Sequence, residues 1–153
     1  MSPEKKLSDL MDESKFVCLS PETTVILASR KMLECHIGAV IVYDKNKTVG
    51  IVTERDINYR VVAAQRDPST TLLSDIMTKN PKTMPPETKV TVALKIMAKN
   101  GYRHIPVEVD GNVVGIVSIT DVFTESKKKL GGDIKDIEDF ILGDAFLGSE
   151  TSH

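Results

Sequence analysis

The chain has 153 residues, of which 41% are hydrophobic and 27% charged, a composition typical of one globular domain or two small fused lobes. Its formal net charge of −2 provides no basic excess for nucleic acid, and no apolar run approaches the roughly 20 residues that span a bilayer. The first ten residues are too charged for a signal peptide, and two cysteines do not make a disulfide framework, so we predict a cytoplasmic protein.

The first half of the chain predicts a small unit of mixed helices and strands. Residues 7–11 predict a short lead-in helix, and 16–19 a short strand. A longer helix is expected to begin after Ser20, with Pro21 at its first position. The polar turn 44–47 is expected to join two further strands. The predicted helix face consists of Val25, Ala28, Ser29, Met32 and Leu33.

A turn motif follows the second of these strands. The apolar run ends in a hydroxyl residue, Thr53, and an acid follows three positions later at Asp56. Ser118 and Asp121 repeat this order after the last predicted strand. The pattern is typical of a helix start, where free backbone N–H groups suit phosphate. A carboxylate beside such a turn can accept hydrogen bonds from a diol such as ribose, so the motif is either a plain cap or a ligand contact.

The chain contains an internal repeat. Pro21, Gly50 and Asp56 each have an identical residue 65 positions later, and the Leu-Ser-Asp-(Leu/Ile)-Met heads at 7–11 and 73–77 match at an offset of 66. The second copy predicts a helix stop at Asn100-Gly101 and a strand pair joined by the turn 110–112. Each copy is expected to be too small to close its own core, so we expect the two copies to pack together.

The repeat predicts where the domains begin and end. We assign residues 7–66 to the first domain, 73–130 to the second and 131–153 to a C-terminal extension. Within the extension, 133–146 predict one more amphipathic helix, and 148–153 predict a disordered tail.

These features together resemble a tandem pair of CBS domains, the module named after cystathionine β-synthase and also called a Bateman module. The resemblance covers about 7–129 and depends on the repeated heads, the two Pro-Glu-Thr helix starts, the segment 103–107 and the two Gly-Ile-Val-(Thr/Ser)-x-x-Asp turns. It implies an α+β fold, a duplicated β-α-β-β-α unit with pseudo-twofold symmetry, here followed by the C-terminal helical extension. It also implies clefts between the two domains that bind AMP, ADP or ATP, and association into a disk-shaped dimer.

The resemblance assigns roles to particular residues. The Asp of each turn would contact ribose and the Thr or Ser would contact phosphate. A threonine in the first strand would lie near the base, and basic residues before the Ile-Pro-Val strand would approach phosphate. The first copy has Cys18 where the second has Thr83, and Gly38 where the second has Arg103, so the two sites are expected to be chemically unequal. The predicted nucleotide-binding residues are Cys18, Thr53, Arg55, Asp56, Thr83, Arg103, His104, Ser118, Thr120 and Asp121.

The sequence therefore predicts a non-catalytic sensor that binds an adenine nucleotide, with AMP favoured, and that forms a homodimer serving an unidentified enzyme or transporter. No catalytic cofactor, membrane partner or nucleic acid is expected.

One alternative is a dimerisation scaffold without ligand, and another is a CBS pair that binds S-adenosylmethionine or NAD. A nucleotide hydrolase is disfavoured because the chain has no P-loop and no recognisable nucleophile–base pair. A zinc site at Cys18, Cys35 and His36 is disfavoured because these residues form no closed ligand set.

Overall fold

The computed structural model describes residues 3–130, with side chains for 3–127. The helix predicted within 133–146 and the tail predicted at 148–153 lie outside the described residues. Among residues 3–130, no helix combines the length and the apolar character needed to cross a membrane.

The described residues form an α+β fold, as predicted. Its helices are α1 (Leu7–Leu10), α2 (Val25–Cys35), α3 (Glu54–Ile57), α4 (Leu73–Ile76), α5 (Val90–Asn100) and α6 (Ile119–Leu130). Its strands are β1 (Cys18–Leu19), β2 (Ala39–Asp44), β3 (Lys47–Thr53), β4 (Thr78–Lys79), β5 (His104–Val109) and β6 (Asn112–Ser118). A 3₁₀ turn covers Glu13–Lys15, and a π-helical turn covers Asn58–Val62.

The chain divides into two compact units that combine segments from distant parts of the sequence. The first-repeat unit contains residues 12–82 and 110–113, and the second-repeat unit contains 3–11, 83–109 and 114–130. The lead-in helices are therefore exchanged, because α1 belongs to the second-repeat unit and α4 to the first-repeat unit.

Backbone hydrogen bonds hold each lead-in helix in its unit. The amide of Leu7 donates to the carbonyl of Thr88 at 2.9 Å, and the amide of Leu73 donates to the carbonyl of Thr23 at 2.9 Å. Both leucine side chains are fully buried. Burial of a leucine contributes about 2 kcal/mol. The head motif of the first repeat therefore stabilises the second-repeat unit, and the head motif of the second repeat stabilises the first-repeat unit.

The first-repeat unit is built on a four-stranded sheet in the order β1-β2-β3-β4. β1 pairs with β2 in parallel, and the other neighbours are antiparallel. The predicted turn between β2 and β3 is confirmed, with Lys45 and Asn46 at φ of 52° and 62°, the left-handed values that a tight hairpin turn requires. Helix and sheet residues enclose one core, formed by Val25, Ala28, Met32, Val40, Val42, Val52, Val61, Leu73 and Ile76.

The second-repeat unit contains α1, α5, α6 and the hairpin of β5 and β6, apart from residues 110–113 at the tip of that hairpin. Asp110 and Gly111 make its tight turn at φ of 51° and 85°, and α5 ends at Gly101 with φ of 71°, so the predicted turn and helix stop are confirmed. The core of this unit contains Leu7, Met84, Val90, Ala93, Leu94, Met97, Ala98, Ile105, Val107, Val117 and Val122.

Two local predictions in the first repeat are wrong. The first long helix begins at Val25 rather than after Ser20, because the carbonyl of Ser20 closes a turn with the amide of Thr23. Thr24 is the N-cap, and its hydroxyl accepts from the amide of Leu27 at 3.5 Å. The helix expected after Thr53 covers only Glu54–Ile57 and continues as a π-helical turn over Asn58–Val62.

Candidate functional site

The first strand-to-helix turn lies at the end of β3 and forms a complete capping box. The carboxylate of Asp56 accepts from the amide of Thr53 at 2.9 Å and from its hydroxyl at 3.2 Å. In return, the Thr53 hydroxyl accepts from the amide of Asp56 at 3.3 Å. These bonds satisfy backbone donors that a helix start leaves unpaired. The cap is thus present whether or not the turn also binds a ligand.

The Asp56 carboxylate has two further partners in the first-repeat unit. Thr78 on β4 donates to it at 3.4 Å, and the Nε of Arg60 lies 3.8 Å from the same oxygen. Arg60 also donates from Nη1 to the carbonyl of Ile76 at 3.0 Å and to that of Met77 at 3.4 Å. The side chain of Asp56 is only 12% exposed, so an internal cation offsets its charge in a largely enclosed place.

Arg60 is a site residue that sequence reasoning missed. The available signal was its position four residues after Asp56, a spacing at which an acid and an arginine meet on a helix. The second repeat has Glu125 at the corresponding position, and Glu125 is paired with Lys5 at 3.7 Å. No arginine therefore occupies that position beside Asp121.

The second turn, at the end of β6, has a similar backbone but leaves its acid unengaged. The hydroxyl of Ser118 accepts from the amide of Asp121 at 3.2 Å. Asp121 is half-buried, and within the described residues its carboxylate accepts no hydrogen bond and forms no ion pair. This carboxylate is therefore available to hydroxyl donors from a ligand.

The structure brings the predicted phosphate residues next to the second turn. The carbonyl of Arg103 accepts from the amide of Ile119, the first residue of α6, at 2.8 Å. The carbonyl of Gly38 and the amide of Glu54 make the same bond in the first repeat at 3.0 Å. Arg103 is exposed and His104 half-buried, so the second repeat has a basic residue at the position where the first has Gly38.

Thr83 lies on the same strand face as Glu108. Met84 forms a parallel bridge with Val107, and both of these side chains point into the core. Because side chains alternate along extended chain, Thr83 and Glu108 lie on the opposite face. The Thr83 hydroxyl donates to the Glu108 carboxylate at 3.4 Å, and Glu108 is half-buried. Sequence reasoning nominated Thr83 and missed Glu108, because only the register brings the two together.

Cys18 occupies the place of Thr83 in the first repeat, with Tyr43 in the place of Glu108. Cys18 is exposed overall, but burial of part of the side chain raises the pKa of its thiol. The group is thus a neutral thiol at neutral pH. Arg55 and Thr120, the remaining predicted residues, have exposed side chains. The assignment of all ten residues to nucleotide binding stays a prediction.

A separate groove of about 560 Å³ opens on the helical side of the first-repeat unit. Its apolar lining includes Met32, Leu33, Ile37, Ile57 and Val62. Thr53 and Asp56 do not line the groove, but Gly38 and Glu54, whose backbones are hydrogen-bonded at the same turn, do. Within residues 3–130, no group of three or more His, Cys, Asp or Glu side chains is arranged to hold a metal ion.

Comparison with known proteins identifies the family. The sequence pattern of the CBS domain matches this chain twice, at residues 7–63 and 73–128. The chain belongs to the CBS domain family. Both matches contain the head motif and the turn with its Thr or Ser and its Asp, the features from which the resemblance was inferred.

Related sequences carry the same domain in longer proteins. An uncharacterised 17.7 kDa protein of Acidianus ambivalens is 40% identical over 111 residues, which are 71% of this chain and 66% of that protein. The CBS domain-containing proteins CBSCBSPB1 and CBSX3 (mitochondrial) of Arabidopsis thaliana are 37% and 36% identical over 72% of this chain, but the matches span only 21% and 56% of their lengths. The CBS pair thus spans only part of each of these relatives.

Solved structures have the same fold. An uncharacterised conserved protein of Pyrococcus horikoshii is 30% identical, with a TM-score of 0.74 over 83% of this chain and 96% of that one. The CBS domain pair of protein MJ0100, in complex with 5-methylthioadenosine and S-adenosyl-L-methionine, is 25% identical, with a TM-score of 0.71 over 83% and 99%. A hexameric CBS-CP12 protein from bloom-forming cyanobacteria is 26% identical, with a TM-score of 0.75 over 99% and 91%.

Proposed function

We propose that this CBS pair is a non-catalytic sensor that binds an adenine nucleotide, AMP in preference to ADP or ATP, at the turn between β6 and α6. The observation that carries the proposal is the carboxylate of Asp121, which is unengaged within the described residues. It lies three residues after Ser118, in the turn where the amide of Ile119 donates to the carbonyl of Arg103. The carboxylate would accept the two ribose hydroxyls, while the hydroxyl of Ser118 and the guanidinium of Arg103 would hold phosphate.

Electrostatics favour the second repeat over the first. Arg103 can hold phosphate with two parallel hydrogen bonds. In the first repeat, Asp56 already interacts with Arg60 and Thr78, and a ribose would have to compete with both.

Isothermal titration with AMP, ADP and ATP tests the proposal, with Asp121→Ala as the principal variant. We expect the variant to weaken binding about 10- to 100-fold, the cost of losing hydrogen bonds to a charged acceptor. Arg55→Ala is the control, since this exposed side chain lies in the corresponding turn of the first repeat, and we expect less than about a twofold change. Equal losses in the two variants would contradict the assignment of Asp121, and no heat with any adenosine compound would contradict the function.

A second candidate ligand is S-adenosylmethionine or its product 5-methylthioadenosine. The complex of the MJ0100 domain pair supports it, because that protein has the same fold and binds both compounds. Asp121 would serve equally, since these ligands carry the same ribose diol. Adding both compounds to the titration distinguishes the candidates, since phosphate contacts at Arg103 would favour AMP and an apolar pocket beyond the ribose would favour the thioether.

Binding would regulate by shifting the population of two conformations, by no more than the difference in ligand affinity between them. The regulated enzyme or transporter stays unidentified, and a homodimer stays a prediction. Cys18 and Cys35 are both free thiols, which supports the proposed cytoplasmic location, where thiols are kept reduced.

A further inference from the structure

We infer that Glu108, with its hydrogen-bond partner Thr83, selects a purine carrying a 6-amino group over one carrying a 6-oxo group. The inference rests on the proposed function, because it takes the base of the nucleotide to lie beside Thr83. It adds to that function a residue for base specificity.

The argument begins with the hydrogen-bonding capacity of the pair. A threonine hydroxyl has one proton to donate, and Thr83 donates it to the carboxylate of Glu108 at 3.4 Å. The carboxylate has no proton to donate. Toward a ligand, the pair therefore presents only acceptor lone pairs: those remaining on Glu108 and those on the Thr83 oxygen.

An acceptor-only pair distinguishes the two classes of purine. Adenine carries an exocyclic amino donor at position 6, whereas hypoxanthine and guanine carry an acceptor oxygen there. The amino group can donate to Glu108, but a 6-oxo group would place its oxygen against a carboxylate without a shared proton. A 6-oxo purine has its nearest donor at N1, one ring position away, so it reaches the carboxylate only if the base shifts from the position that adenine takes. We therefore expect the 6-oxo purines to bind more weakly.

The position of Glu108 along β5 is consistent with this role. His104 begins the strand and Glu108 lies four residues further on, a separation of about 13 Å at the rise of an extended chain. Arg103 and the turn at Ser118 lie at the start of the strand, where phosphate is proposed to bind. A nucleoside monophosphate has a comparable length from its 6-amino group to its phosphate, so it can reach both ends.

The first repeat lacks the pair. Cys18 and Tyr43 occupy the places of Thr83 and Glu108, and a tyrosine hydroxyl can donate as well as accept. This position offers no carboxylate and would not discriminate between the two purine classes. The selection is therefore a property of the second repeat alone.

The test compares AMP with IMP by isothermal titration on the wild-type chain, on Glu108→Gln and on Glu87→Gln. Glu87 is exposed and belongs to the same unit, so its variant makes the same change of net charge away from the site. The wild type should bind AMP about tenfold more tightly than IMP, the size of one discriminating base contact. Glu108→Gln should bring the ratio close to one, because the new amide can donate to the 6-oxo group, and Glu87→Gln should keep the wild-type ratio.

A second pair of ligands, 5-methylthioadenosine and 5-methylthioinosine, repeats the comparison without phosphate. If Glu108→Gln does not fold, purine riboside monophosphate, which has hydrogen at position 6, tests the wild type directly. Its affinity should lie between those of AMP and IMP.

Equal affinities of the wild type for AMP and IMP, or an unchanged ratio in folded Glu108→Gln, would overturn the inference while leaving nucleotide binding intact. A wild-type chain that binds no purine compound at all would overturn the proposed function and the inference with it.

Discussion

Asp56 and Asp121 lie 65 residues apart in the sequence and begin corresponding helices, yet their surroundings differ. Asp56 accepts hydrogen bonds from Thr53 and Thr78 and lies near Arg60, whereas the carboxylate of Asp121 is unengaged within the described residues. One acid therefore stabilises its own unit, and the other is left available for a ligand. The same residue in the same motif thus has two different consequences.

Asn substitutions at the two positions separate stability from binding. Asp56→Asn should lower the free energy of unfolding by about 1–2 kcal/mol, because it weakens a cap and leaves Arg60 without its carboxylate. Asp121→Asn should cost less than about 0.5 kcal/mol while reducing nucleotide affinity. Urea denaturation of the two variants measures the difference, and a larger loss of stability in Asp121→Asn would contradict this account.

A second pair of corresponding residues differs in polarity inside the core. Val61 and Ser126 are both almost fully buried. The hydroxyl of Ser126 has no hydrogen-bond partner within the described residues. Burying a hydroxyl without a hydrogen-bond partner costs free energy, so Ser126 lowers the free energy of unfolding of the second repeat.

Replacing Ser126 with alanine should therefore raise the free energy of unfolding, by about 1 kcal/mol or more. Part of any gain comes from the higher helix propensity of alanine, about 0.5 kcal/mol. Ser29→Ala on α2 provides the control, since Ser29 is only half-buried within a helix. Urea denaturation of both variants decides the point, and a gain no larger than that of Ser29→Ala would mean that the hydroxyl carries no penalty.

At the scale of elements, a glycine lets each central strand pass close to the segment beside it. A Cβ on Gly50 would lie 2.8 Å from the backbone carbonyl oxygen of Thr78, where β3 pairs with β4. A Cβ on Gly115 would meet the flexible side chain of Met11, with its Cε at 2.7 Å. Met11 and Met77 are the corresponding last residues of the two head motifs, and Met77 directly precedes Thr78. The two close approaches therefore involve corresponding segments of the two repeats.

Alanine at these glycines should have unequal effects. Gly50→Ala must move a strand backbone and should cost about 2–3 kcal/mol, whereas Gly115→Ala requires only that Met11 change its rotamer and should cost about 1 kcal/mol. Thermal and urea unfolding of the two variants provide the comparison. A greater loss in Gly115→Ala would show that the methionine is held more rigidly than the strand pair.

At the scale of the whole molecule, the two units differ on their helical sides. The groove of the first-repeat unit is flanked by Leu33 at 75% exposure and Val62 at 65%. The corresponding residues of the second repeat are the buried Ala98 and the charged Lys127. The first-repeat unit thus exposes the greater apolar surface on this side. The homodimer stays a prediction, and this face is the apolar surface that such a dimer would bury.

If a second copy covers this groove, Leu33→Lys should convert a dimer into a monomer. A charged side chain would have to be buried without a partner, which costs several kcal/mol. Val109→Lys makes the same chemical change at a side chain that is 40% exposed at the end of β5, and should leave the dimer intact. Light scattering coupled to size exclusion measures the masses; a monomeric wild type would contradict the homodimer, and a dimeric Leu33→Lys would place its interface elsewhere.

Local sequence patterns determined the repeat, the two hairpins with their turns, the helix stop at Gly101 and the membership of the CBS family. The turns and the helix stop depend on residues within a few positions of one another, where turn chemistry and capping act directly. The repeat and the family follow from the order of motifs along the chain. The same patterns identified both strand-to-helix turns but made Asp56 and Asp121 look alike. They also placed the first long helix too early and had no signal for the π-helical turn.

Only the tertiary structure decided which distant segments meet. It exchanged α1 and α4 between the repeats, brought Thr78 to Asp56, and set Glu108 beside Thr83. Thr78 and Asp56 are 22 positions apart and Glu108 and Thr83 are 25 apart. The exchanged helices join still more distant residues, since Leu7 bonds to Thr88 and Leu73 to Thr23. Local sequence patterns do not predict these contacts, because their energy comes from burial and from pairing that exist only once the chain has closed its cores.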